Sequence, residues 1–188
     1  MSYLTSKFKS SNSKVVYSPR TSVHVHVNCQ ELTIKQVYNY ICMYLIFEEL
    51  LVNYSGDDRV GNLFCLRGKD AEYFVNCLEM AARADQYNGD VTSDNMRYAA
   101  CNSASLRKFG SLEFRSMRGT VDQQTIQNWV DILLRIKDRA MNYDNPSEIA
   151  NHFRSVGPAQ FFLSVFEGDL IEILSQFSGT EQSIKDCF

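Results

Sequence analysis

The chain has 188 residues, 45% of them hydrophobic and 22% charged, with a formal net charge of −3. Those figures suit one globular domain able to bury a core, and they argue against a protein that holds nucleic acid mainly through excess positive charge. The six cysteines are dispersed with no C-x-x-C pair, so neither a disulfide framework nor a zinc cluster is expected, and the thiols read as reduced, buried and small.

Residues 1–20 are rich in Ser and Lys and read as an arm that orders against a partner or a sheet edge. Within it Val15, Val16 and Tyr17 suit an edge strand that Pro19 would end. No signal-peptide pattern is present, and the longest uncharged apolar run, 36–47, is too short to cross a bilayer. A cytoplasmic setting without a membrane partner is the expectation.

Thr21 to Asn28 alternates strictly, so a strand here sends Val23, Val25 and Val27 to one face and His24, His26 and Asn28 to the other. Two of the three histidines thereby share one short strand face. Thr33 is a plausible N-cap for a helix through Ile34, Val37, Tyr38, Ile41, Leu45 and Glu48, running to about Tyr54 and covering the valine face. Ser55-Gly56-Asp57-Asp58 stops it.

Arg59 to Arg67 reads as a loop, and Lys69 to Ala84 as a helix with Phe74, Val75, Leu78 and Ala82 on its apolar stripe. Asn88-Gly89-Asp90 is a turn, after which Met96 to Asn102 leads into a strand-forming region. In Gly110 to Thr120, a strand would place Leu112 and Phe114 on one face, with Glu113 and Arg115 side by side on the other. Asp122 then opens a strong helix striped by Ile126, Trp129, Val130, Leu133 and Ile136, with Trp129 in the core. From Pro146 onward the pattern is about three short helices separated by Gly157-Pro158, Glu167-Gly168-Asp169 and Ser178-Gly179. The expected architecture is α+β: a small antiparallel sheet covered by helices on one face, with an arm at 1–20, one domain at 21–188 and a helical cap over about 144–188.

His24-Val25-His26-Val27, a long amphipathic helix, Asn102, Gly110 to Arg115, Gly119-Thr120 and the Trp129 helix occur in an order that resembles the carboxy-terminal half of the phage and microbial amidoligases. Those enzymes are similar in turn to glutamine synthetase and glutamate-cysteine ligase, and the likeness spans roughly residues 21–143. It implies half of a glutamine-synthetase-like catalytic domain and an ATP-dependent ligase joining a carboxylate to an amine through an acyl-phosphate. By the same resemblance Glu113 and His24 would ligate a divalent cation, Mg or Mn. Glu113 also stands among the catalytic residues, Arg115 would hold the transferring phosphoryl or the substrate carboxylate, and His26 would lie against phosphate or substrate. Arg59, Arg97 and Asn102 match positions that could face the nucleotide. A solvated loop for Arg59, and packing or turn capping for Arg97 and Asn102, are the competing assignments.

The family pattern also requires an amino-terminal glycine-x-glutamate-x-glutamate strand, whose carboxylates supply most metal ligands. No Asp or Glu precedes His24. The resemblance therefore implies a second polypeptide, or a symmetry mate, that brings an acidic strand. Two alternatives stay open: a catalytically incomplete structural or interaction protein, for example of a phage particle, and a mononuclear zinc hydrolase using His24 and His26 with His152 or Glu113.

Overall fold

Alternation at Val25–Asn28 builds an edge strand, β1, and alternation at Ser111–Phe114 builds the central strand, β3. The computed structural model describes residues 18, 20–63, 65–70, 72–87, 89–177 and 182. The proposed edge strand at Val15 to Tyr17, Pro19, Asn88, Ser178-Gly179 and Cys187 lie outside them. A third strand, β2, is only two residues long, Cys101–Asn102. The sheet order is β1-β3-β2 and both pairings are antiparallel.

Register decides what each face carries. Val25 pairs with Phe114, His26 with Glu113, Val27 with Leu112 and Asn28 with Ser111; on the other side Cys101 pairs with Phe114 and Asn102 with Glu113. Directly paired residues of an antiparallel ladder share a face. One face is therefore Val25, Val27, Leu112, Phe114 and Cys101, and the other is His26, Asn28, Asn102, Ser111 and Glu113.

Seven α-helices are assigned among the described residues: α1 Ile34–Ile46, α2 Glu48–Ser55, α3 Glu72–Ala84, α4 Ser105–Phe109, α5 Gln123–Ala140, α6 Pro146–Val165 and α7 Asp169–Ser175. The start of α1 is fixed by a capping box, in which Thr33 Oγ1 accepts from Gln36 N at 3.3 Å and Gln36 Oε1 accepts from Thr33 N at 2.9 Å. Tyr40 and Tyr44 of this helix lay their rings over Phe114, centroids 5.4 and 4.9 Å apart. The Tyr40 hydroxyl donates to Leu133 O of α5 at 3.0 Å, which spares a buried polar group an unmet hydrogen bond. Phe114, Leu112, Trp129, Leu133 and Ile136 are all fully buried in one core.

Two helix boundaries differ from the sequence reading. The helix from Ile34 does not run unbroken to Tyr54: it stops at Phe47 (φ −100°, ψ 1°) and restarts as α2. Neither Gly nor Pro marks the break. Phe47 is wholly buried against Phe161, Phe162 and Phe166, at 5.8, 6.4 and 5.0 Å between centroids, so tertiary packing sets it. The next helix begins at Glu72 rather than Lys69, because Gly68–Asp70 forms a 3₁₀ turn first. In α6 the expected punctuation holds: Gly157, at φ 75° and ψ 168°, interrupts the helix just before Pro158.

Candidate active site

A one-residue irregularity shapes the polar face. Val25 pairs with Phe114, yet three residues earlier Ser22 bridges to Arg118, so residues 115–117 span the same length as residues 23 and 24. Such a bulge leaves backbone carbonyls unused by the ladder and re-aims the side chains around it. The carbonyls of Arg115 and Ser116 are met by Arg59, whose Nη2 and Nε donate to them at 2.9 and 2.8 Å. Arg59 is 2% exposed and also donates to Cys65 Sγ at 3.3 Å.

Glu113 is the centre of the site. Its Oε1 lies 2.6 Å from His24 Nδ1, 3.8 Å from His26 Nε2 and 3.9 Å from Arg115 Nε. Its Oε2 accepts from Asn102 Nδ2 at 2.6 Å. His24 Nε2 takes a hydrogen bond of 2.8 Å with Ser22 Oγ, so the carboxylate fixes the proton on Nδ1 and the serine hydroxyl donates to the bare Nε2. His26 Nδ1 meets Ser111 Oγ at 2.9 Å, and its ring stands edge-on to Phe109 with centroids 5.4 Å apart.

The electrostatics are those of a half-sunken cluster. Partial burial holds the His24 imidazole below its ordinary 6.5; Glu113 pulls the other way, and Arg115 reinforces the lowering. Arg115 donates through Nη1 to the carbonyl of Arg97, while its buried Nε has no hydrogen-bond partner among the described residues. An N–H so placed, beside an anchored carboxylate, is a donor held ready for an incoming oxygen. The side chains of His24 and His26 remain 36% and 40% exposed, against 14% for Glu113, so the imidazoles form the accessible rim. Beside them opens a shallow cleft of about 420 Å³, lined by His26, Asn28, Gln30, Phe109 and Ser111.

The structure thus brings His24, His26, Glu113, Arg115 and Asn102 together on one sheet face. It uses two of the nucleotide-facing candidates otherwise. Arg59 is turned inward to support the bulge, and its guanidinium is occupied by backbone. Asn102 is 6% exposed and spends its amide on Glu113 and, through Oδ1, on Ala104 N at 3.0 Å. Its place is to position the carboxylate. Arg97 is exposed, with its guanidinium 5.2 Å from the Tyr98 ring. Ser22, Ser111, Gln30 and Phe109 were not anticipated. For Ser111 the signal was available, since it stands two residues before Glu113 in the same strand.

The donor set does not by itself make a metal centre. Glu113 is the carboxylate of the cluster, and among the described residues no three His, Cys, Asp or Glu side chains stand where they could share an ion. His152, considered as a third ligand to zinc, is engaged instead by the Tyr143 hydroxyl at 2.6 Å through Nδ1. Five cysteines, Cys29, Cys42, Cys65, Cys77 and Cys101, are free thiols. No described helix is long and apolar enough to cross a membrane.

Comparison with known proteins adds one finding. A family model described as a putative amidoligase enzyme matches residues 1–137, which takes in the first twenty residues as well as the sheet and most of α5. No curated protein and no solved structure matches.

Proposed function

Because this chain belongs to the putative amidoligase family, we propose that it is the histidine- and arginine-bearing part of an ATP-dependent ligase that joins a carboxylate to an amine. The observation that supports this reading is the shared carboxylate of Glu113, flanked by two imidazoles and a guanidinium with a spare buried N–H. Amide formation from a free carboxylate is uphill, so the carboxylate must first be activated; phosphoryl transfer between anions then needs positive groups already in place. Arg115, fixed at Arg97 O and kept beside Glu113, would receive the developing charge on the phosphoryl oxygens. His26, on the rim and next to the cleft, would bind the substrate carboxylate or phosphate. Asn102 and Ser22 position Glu113 and His24 and touch no substrate in this scheme.

The remaining metal ligands are the other half of the proposal. His24 and Glu113 would contribute to a divalent cation, Mg or Mn, and a second chain or another copy of this one would complete its shell. The ion would neutralise phosphate charge when bound.

The test pairs the chain with a polypeptide carrying a glycine-x-glutamate-x-glutamate strand and supplies ATP, magnesium, a panel of carboxylates and hydroxylamine. Production of ADP together with hydroxamate is expected, and its loss on Glu113→Ala with the fold retained. If the completed pair binds no nucleotide by calorimetry, the ligase reading fails and a catalytically incomplete scaffold is what remains.

A further inference from the structure

The helical layer contains a second cavity, separate from the polar face of the sheet. A cleft of about 660 Å³ lies between the end of α1, α3 and the first turns of α6, with Leu45, Val75 and Leu78 among its walls. Glu48 also lines it. This residue is 4% exposed, and its Oε2 accepts from Gly68 N at 2.7 Å, while Oε1 is buried without a hydrogen-bond partner among the described residues. The loop at Gly68 is pressed against the same wall: a Cβ there would come within 2.3 Å of Leu45 Cδ2.

A carboxyl left half-satisfied in an apolar cleft costs stability that a packed hydrophobic side chain would not, and the ligase chemistry above makes no use of it. The charged neighbours fix the sign of what would complete it. Glu49 and Asp70 bear on Glu48 with like charge, and Arg67 opposes them but is itself bonded to Glu49. Next to Glu48 itself two carboxylates stand against one guanidinium, and its unmet Oε1 calls for a hydrogen-bond donor; an ammonium answers both. Arg83 and Arg154 also line the cleft; Arg83 is paired with Glu79 at 3.6 Å.

We propose that this cleft is a second binding site, for a small aliphatic primary amine whose ammonium pairs with Glu48 and whose chain lies against Leu45, Val75 and Leu78. Burial raises the Glu48 carboxyl to about 8, so near pH 7 the free protein holds a proton there. An alkylammonium entering the site displaces that proton to solvent, leaving an ammonium–carboxylate pair in the cleft. Amine binding therefore releases about one proton, which a merely structural Glu48 would not do.

Titration calorimetry with n-hexylamine and, as a neutral probe of the same shape, n-hexanol, in two buffers of different ionisation enthalpy at pH 7, tests the proposal on the full chain. Hexylamine should bind at least tenfold more tightly than hexanol, with a buffer-dependent enthalpy. Glu48→Gln preserves the acceptor for Gly68 and should weaken hexylamine at least tenfold while leaving hexanol unchanged. Ala150→Phe, which fills the cleft from α6, should weaken both. Equal binding of the two probes, an unaltered hexylamine affinity in Glu48→Gln, or no binding of either probe would overturn the proposal. None of these outcomes bears on the ligase reading.

Discussion

His24 Nδ1 and Glu113 Oε1 stand 2.6 Å apart across two neighbouring antiparallel segments, and the bond joins a partly exposed imidazole to a largely covered carboxylate. Burial lowers the imidazole and the carboxylate raises it; burial prevails. A histidine whose folded pKa lies below 6.5 contributes stability that is complete above 6.5 and is lost as pH falls through the folded value. Glu113→Gln removes the opposing pull, so the His24 ring should titrate at still lower pH, read from its imidazole proton shifts by NMR. An unchanged or higher midpoint would show that the carboxylate does not govern this ring.

Asn102 gives a charge-assisted hydrogen bond to Glu113 from a buried position. Loss of such a bond costs about 1.5–3 kcal/mol. Asn102→Ala should destabilise by that order in urea unfolding. Asn102→Asp should cost more at pH 7 than at pH 4, because it sets a second carboxylate against the first.

Arg59→Lys should fare little better than Arg59→Met. The guanidinium reaches two carbonyls of the bulge from separate nitrogens, a fork that an ammonium cannot reproduce. Leaving two buried carbonyls unmet costs about 2–6 kcal/mol in total. Denaturant titration checks the magnitude, and NMR of the His24 ring would report whether the polar face has shifted with the bulge.

Glu48→Gln should change the pH dependence of stability in a defined window. The unfolded chain sheds this proton near 4.5, whereas the folded chain keeps it to about 8. Across that interval the unfolded state binds fewer protons, so the wild-type protein loses stability as pH rises, at most about 1.4 kcal/mol per pH unit. The variant lacks this penalty. Thermal melts of the two proteins should differ least near pH 4 and diverge toward pH 8, with Glu48→Gln more stable there by a few kcal/mol.

Much of this was legible from periodicity. Alternation at Thr21 to Asn28 and at Gly110 to Arg115 assigned His24, His26, Glu113 and Arg115 to the polar faces of two strands, and Thr33 and Asp122 marked helix starts that the structure caps through Gln36 N and Thr125 N. The pairing of those strands needed the fold. What stayed hidden depends on groups distant in sequence. The break at Phe47 comes from three phenylalanines more than a hundred residues away. Arg59 looked like a loop cation because nothing near it predicts a bulge at residues 115–117, and Asn102 declared its partner only when β2 met β3.

The central strand is paired on both sides, and this ties the direction of its polar side chains to the packing of its apolar ones. Were β3 to slide by one position, Phe114 would turn to water while Glu113 entered the oily interior. A population of correctly packed molecules is therefore one in which His24, His26, Glu113 and Asn102 already face one another. Any lineage that keeps this protein from aggregating preserves, without further selection, the alignment its chemistry would need.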